Sequence, residues 1–181
     1  MPGSSAALRV LLLPGWQNSG DAHWQSRWEQ LYGDHRVDQS DWMTPRRGDW
    51  MARLEEVLLE SEPPVLLVAH SLGCLLVAAW AAHTRQAGRV RGALLVAPPD
   101  VEREDMPPQL HGWRPIARRP LPFAATTVIS TDDPYSSAER AGALAEAWGA
   151  SLVVAGPRGH LNGESGLGDW PEGRSLLTAL R

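Results

Sequence analysis

The sequence predicts an α/β fold, a compact three-layer sandwich in which a six-stranded, mostly parallel sheet lies between helices, formed by a single domain over residues 1–181. Three observations carry this. Short apolar runs closed by turn residues alternate with segments of helical spacing. No repeat, linker or change of composition divides the chain. The apolar run Val65–Trp80, VLLVAHSLGCLLVAAW, reads as a buried strand passing directly into a helix.

Taken in order, Leu8–Leu13 is a first buried strand, ended by Pro14-Gly15, which delivers the loop Trp16–Gly20 to one edge of the sheet. Asp21 then caps a helix over His23–Tyr32, with Trp24, Trp28 and Leu31 at helical spacing. Arg36–Trp42 alternates enough for a short strand. Asp49 opens a second helix with Met51, Leu54, Val57 and Leu58 on one face, stopped by Pro63-Pro64. Val65–Ala69 is the central strand and Leu72–Ala82 its helix. Gly92–Ala97, Thr126–Ser130 and Ser151–Ala155 supply three further strands, Ala138–Trp148 another helix, and Leu176–Leu180 a closing one. The irregular stretch is 98–124, with seven prolines, and a loop of that length in a small domain is expected to wall a site.

Composition narrows the function classes. Lys+Arg 17 against Asp+Glu 21 gives a net charge of −4, so nothing favours nucleic acid or an anionic membrane as partner. One cysteine, Cys74, fits a reducing compartment, and no run approaches a membrane span, so a cytoplasmic location is expected. The start MPGSSAALRVLLLPG lacks the regions of a secretory signal. Cys74 lies three residues past Ser71, but a lone cysteine in an apolar helix ordinarily packs as a small hydrophobe.

The chemistry gathers at the joint of central strand and helix. Ser71, followed by Gly73, has the arrangement of a nucleophile elbow, where a tight turn lifts the hydroxyl off the sheet and sets the Leu72 N–H beside it. The plainer role for such a serine is a helix cap. A serine nucleophile needs a base, and the base needs an acid to orient it. Both are expected past later strands, since sites in such sheets form at the strands' carboxyl ends. His160, after the last strand, is the candidate base, with a surface-loop histidine as its plain reading. Asp132 and Asp133 both follow the fifth strand, and Asp133 is favoured because Pro134 restricts it to extended backbone. A second oxyanion donor is sought at Trp16 or Gln17. His70 is read as a positioning or pocket residue, His23, at a helix start, as a substrate-binding candidate whose plain reading is an exposed histidine, and Trp113 and Trp170, in loops, as substrate contacts. No compact metal-ligand spacing occurs, and no cofactor is called for. The first strand leads to Pro-Gly-Trp-Gln, not to a glycine-rich phosphate loop, which argues against a nucleotide-binding domain.

With these residues in hand, the sequence resembles the small serine hydrolases of the α/β-hydrolase superfamily, of the retinoblastoma-binding protein nine type. The resemblance rests on Pro14-Gly15-Trp16, His23-Trp24, Ala69-His70-Ser71-Leu72-Gly73, Asp132-Asp133-Pro134 and Gly159-His160-Leu161-Asn162, and on the tail from Glu164 to Gly173, like that of the family's bacterial members. It implies an α/β-hydrolase fold without a large cap domain and a triad of Ser71, Asp133 and His160, the aspartate being the one before proline. The pattern departs from the family's at Ala69, where glycine is usual. The expected activity is hydrolysis of small carboxylic esters. Amide or thioester cleavage on the same machinery, or a non-catalytic binding protein of the same fold, are the alternatives; the oligomeric state is not legible.

Overall fold

The computed structural model describes residues 8–181. Six strands form one sheet in the order β2-β1-β3-β4-β5-β6, and every neighbouring pair is parallel. They are β1 (Arg9–Leu13), β2 (His35–Arg36), β3 (Val65–His70), β4 (Val90–Val96), β5 (Ala124–Ile129) and β6 (Ser151–Val154). The helices are α1 (Trp24–Tyr32), α2 (Arg47–Glu60), α3 (Leu72–Ala81), α4 (Ala138–Ala147) and α5 (Pro171–Thr178).

Strand periodicity divides the core in two. Leu11, Leu13, Leu67, Ala69 and Leu95 point to one face, where they pack with Leu54 and Leu58 of α2, Leu76 of α3 and Leu144 of α4. The alternate residues Val10, Leu12, Leu66, Val68 and Leu94 point to the other face and pack with Trp24 and Trp28 of α1 and Leu177 of α5. Parallel strands covered on both faces must be apolar at nearly every position, which is why they read as continuous runs and not as alternating ones.

Four local expectations are corrected. His23, not Asp21, caps α1, its Nδ1 accepting the Gln25 N–H. Leu31 is 49% exposed, because the stripe of α1 that meets the sheet is set by Trp24 and Trp28. The strand expected over Arg36–Trp42 is only two residues long. Beyond Val37 the chain leaves the sheet edge and its carbonyls go elsewhere: Asp41 accepts Trp50 Nε1–H, Trp42 the Gln17 N–H and Met43 Trp16 Nε1–H. The closing helix begins at Pro171, a residue suited to the first helical position, and its Gly173 lies so close to the Trp170 ring that a Cβ there would come within 2.2 Å.

The proline-rich stretch 98–124 is packed, not loose. Val101, Met106, Leu110, Trp113 and Ile116 join the core beside α3, and Pro108–Trp113 form a 3-10 helix within the stretch. Glu102 accepts from Arg118 and Arg140, tying the stretch to α4. Among the described residues no helix is long and apolar enough to cross a membrane.

Candidate active site

The carboxyl ends of the parallel strands converge on one cavity of about 350 Å³. β1 leads to Gly15 and Trp16, β3 to Ser71, β4 to Pro99, β5 to Tyr135, with Asp133 behind the lining, and β6 to His160.

Ser71 has φ 55° and ψ −122°, a conformation few L-residues adopt, and its hydroxyl caps nothing in α3. The turn is held by main chain on both sides: the Ser71 N–H donates to Val96 O at 2.8 Å, and its carbonyl accepts the Cys74 N–H at 2.9 Å. Space is the second constraint. A Cβ on Gly73 would lie 2.2 Å from Leu13 O, and one on Gly15 would lie 3.0 Å from Ser71 Cβ and 3.2 Å from Leu72 N. Glycine is needed two residues after the serine, and at Gly15 on the facing loop a Cβ would make its neighbours give by a few tenths of an ångström. Ala69 is buried in the core beneath the turn, and its extra methyl is accommodated there without loss of the elbow conformation.

The Ser71 Oγ–H donates to His160 Nε2 at 2.8 Å. The opposite nitrogen, Nδ1, donates to both Asp133 oxygens, at 3.0 and 2.9 Å. Asp133 also accepts the Tyr135 N–H at 2.9 Å. The neighbouring Asp132 does different work: its Oδ1 accepts the Gly159 N–H at 2.8 Å and the Ser130 hydroxyl at 2.9 Å. Those two bonds, the Gly159 one foremost, hold its carboxyl below the usual carboxylate range. Asp132 thus fastens the loop that carries His160, and Asp133 faces the imidazole.

Of the two loop N–H groups considered for an oxyanion, one is committed. Gln17 N–H donates to Trp42 O at 3.0 Å, so it is unable to serve a ligand and that expectation is corrected. Trp16 N–H has no acceptor among the described residues, and Leu72 N–H, at the first position of α3, has none within the helix. The loop is braced by Trp16 Nε1–H to Met43 O at 2.8 Å.

The structure brings His23 and His70 to the back of the cavity, where both are buried. It does not bring Trp113 or Trp170 there. Trp113 is 1% exposed, edge-on to Trp50, with Nε1–H donating to Pro45 O. Trp170 is 6% exposed and packs on Trp24 and Trp28. Their indoles complete the two halves of the core. Tyr135, missed in sequence, takes their place, its ring meeting His160 at 4.5 Å, and Met106, Pro107 and Leu110 of the stretch 98–124 line one wall. Tyr135 lies two residues past Asp133, and that adjacency was its only sequence signal. Cys74 is fully buried, its Sγ–H directed at Val96 O, and burial raises its thiol pKa well above the ordinary value, so it offers no second nucleophile.

Comparison with known proteins places the family and the fold. The profile of the serine hydrolase family matches residues 10–179. No curated protein matches the chain. Among solved structures, a protein of Pectobacterium atrosepticum described as a YdeN-like hydrolase is 32% identical, with 96% of this chain and 90% of that one covered and a TM-score of 0.84. The ydeN gene product of B. subtilis is 19% identical over 96% of this chain and 98% of its own, at a TM-score of 0.73. The esterase RhEst1 of Rhodococcus sp. is 16% identical over 99% and 93%, at 0.71, a likeness of fold.

Proposed function

This chain belongs to the serine hydrolase family of α/β-hydrolase fold, and from that premise we propose that it hydrolyses small, uncharged carboxylic esters with Ser71, His160 and Asp133 as its triad. The observation that carries the reading is the unbroken run of hydrogen bonds from Ser71 Oγ through both ring nitrogens of His160 to Asp133, opening on a cavity.

Ser71 Oγ attacks the ester carbonyl carbon while its proton passes to His160 Nε2. Asp133, bonded to Nδ1–H, holds the tautomer that leaves Nε2 free to accept and stabilises the imidazolium. The N–H groups of Leu72 and Trp16 receive the oxyanion, each worth about 3–4 kcal/mol in the transition state. Collapse of the intermediate breaks the bond to the leaving alcohol, whose oxygen takes the proton from Nε2. Water, deprotonated by His160, then attacks the acyl-enzyme and releases the acid and free Ser71. Every step closes on residues of the chain.

Support for a small, uncharged substrate comes from the lining. A volume of about 350 Å³ is at the lower end for ligand cavities. Pro99, Met106, Pro107 and Leu110 give one apolar wall, Gln17, Asn18 and Asn162 a polar one, and among the described residues no Asp, Glu, Lys or Arg lines the space. An ionic acyl group would be desolvated there without a partner. The test is a panel of p-nitrophenyl esters of increasing chain length, with a succinyl ester, a thioester and an anilide, against a Ser71→Ala background. Short neutral esters should be turned over fastest. Preference for the thioester or anilide would reassign the substrate class, and activity equal to that of Ser71→Ala would refute the reading.

A further inference from the structure

Behind the proposed triad lie two buried histidines whose protons can be placed from their neighbours. His70 is 4% and His23 5% exposed, and they meet at 3.3 Å, Nε2 of His23 to Nδ1 of His70. Two imidazoles sharing one hydrogen bond can do so in either direction, so the outer partners decide. At one end the Gln25 main-chain N–H points at His23 Nδ1 from 3.0 Å. An N–H only donates, so Nδ1 is bare and the proton of His23 sits on Nε2. At the other end His70 Nε2 lies 2.9 Å from the main-chain oxygen of His160. A carbonyl only accepts, so His70 carries its proton on Nε2 and offers bare Nδ1 to His23. The bonds therefore run one way, from Gln25 N–H through His23 and His70 to the His160 carbonyl, and both rings must be neutral.

The far end of that run needs holding. His160 follows the edge strand β6, and its flanking residues Gly159 and Leu161 have φ of 60° and 51°, so it belongs to no helix or ladder. The residue next to Ser71 in sequence thus grips the main chain of the residue whose side chain meets Ser71 Oγ. We propose that His70 is a positioning residue that fixes His160 through this main-chain bond, and that His23 acts through His70 by selecting its Nε2–H tautomer. The proposal rests on the reading of His160 as the base. Burial, reinforced for His23 by Arg36 and His160 and for His70 by His23 and His160, holds both rings neutral: His23 near a pKa of about 3 and His70 well below the ordinary histidine value. A second proton on either ring would set two N–H groups against each other.

The experiment joins a spectroscopic and a kinetic readout. Long-range nitrogen–proton NMR of the full chain with labelled histidine, at about neutral pH, should show His23 and His70 as neutral Nε2–H tautomers. Hydrolysis of p-nitrophenyl acetate by His70→Phe should lose roughly 10–100-fold in kcat with KM little changed, the cost of a misplaced base. His70→Gln, whose amide N–H reaches a similar point, should recover most of it. His23→Phe should give His70 a mixed tautomer population and a smaller loss of kcat. An Nδ1–H or doubly protonated His70 in the wild type overturns the proposal, even where the variants fail to fold. So does a folded His70→Phe with unchanged kcat, or one that raises KM alone, which would mark a substrate contact. If the wild type itself hydrolyses no ester, the assignment of the base falls and this proposal with it, an outcome distinct from any tautomer result.

Discussion

The two halves of the site are held by different physics. Ser71 sits at the centre of the sheet between β3, buried at every position, and α3, buried over nine of its ten residues. Its place is set by packing and by glycines that leave no room for a Cβ. His160 follows β6, the edge strand, where Leu152 and Val154 are exposed. Its place is set by hydrogen bonds: Gly159 N–H to Asp132, Nδ1–H to Asp133, and the His160 carbonyl from His70. The next residue is held in the same way, Leu161 O accepting Trp24 Nε1–H at 2.8 Å. The difference teaches that damage to the packing around the nucleophile should appear as lost stability, and damage to the hydrogen bonds around the base as lost rate in a folded protein.

The sharpest division comes from Asp133→Asn, which keeps the shape of the side chain but favours the wrong tautomer of His160. It should lower kcat by about 10⁴ with little change in the unfolding midpoint; a parallel loss of stability would erase the distinction. Gly73→Ala is the converse. Its methyl would enter the space of Leu13 O and Pro14 O, and urea unfolding should show destabilisation of about 3 kcal/mol. A value within experimental error of zero would mean that the elbow yields easily.

Acid should act through the buried histidines before it reaches the carboxylates. His23 has its pKa lowered from 6.5 to about 3, so between those values the unfolded chain binds the extra proton and stability falls as pH falls. Each such histidine contributes a slope of up to about 1.4 kcal/mol per pH unit. Glu102, held at about 2 chiefly by Arg118, adds its loss only as pH drops from 4.5 toward that value. Stability curves of the wild type and His23→Phe should therefore diverge in slope from about pH 6 downward, and parallel curves would remove His23 from the account. The smallest effect is a gain. Ser71→Gly relieves a positive φ and should raise stability by about 1 kcal/mol while abolishing activity, a trade that an unstrained serine would not give.

The same contrast explains what the sequence made legible. The strand and helix around Ser71 announce themselves because burial on both faces leaves, apart from His70, an apolar pattern, and Gly73 marks the close approach. His160, Asp133 and the order of the strands follow from turn residues placed after apolar runs. The Trp42 carbonyl that occupies Gln17 N–H is a main-chain contact across 25 residues, and no side-chain pattern encodes it. The sequence does not separate Trp113 and Trp170 from cavity residues, because an indole beside prolines or glycines reads alike whether it faces a cavity or the core. The long segment between β4 and β5 showed its prolines plainly, but its burial comes from Val101, Leu110 and Ile116, spaced without helical or strand period. The direction of the histidine chain is fixed only by its partners at both ends, two main-chain groups that no local pattern of side chains marks.

The most direct test of the central claim is reaction of the native protein with a fluorophosphonate, followed by peptide mapping, with Ser71→Ala and heat-denatured protein as controls. The account predicts one adduct, on Ser71, absent from both controls. A folded protein that takes no label, or takes it at another residue, would contradict it.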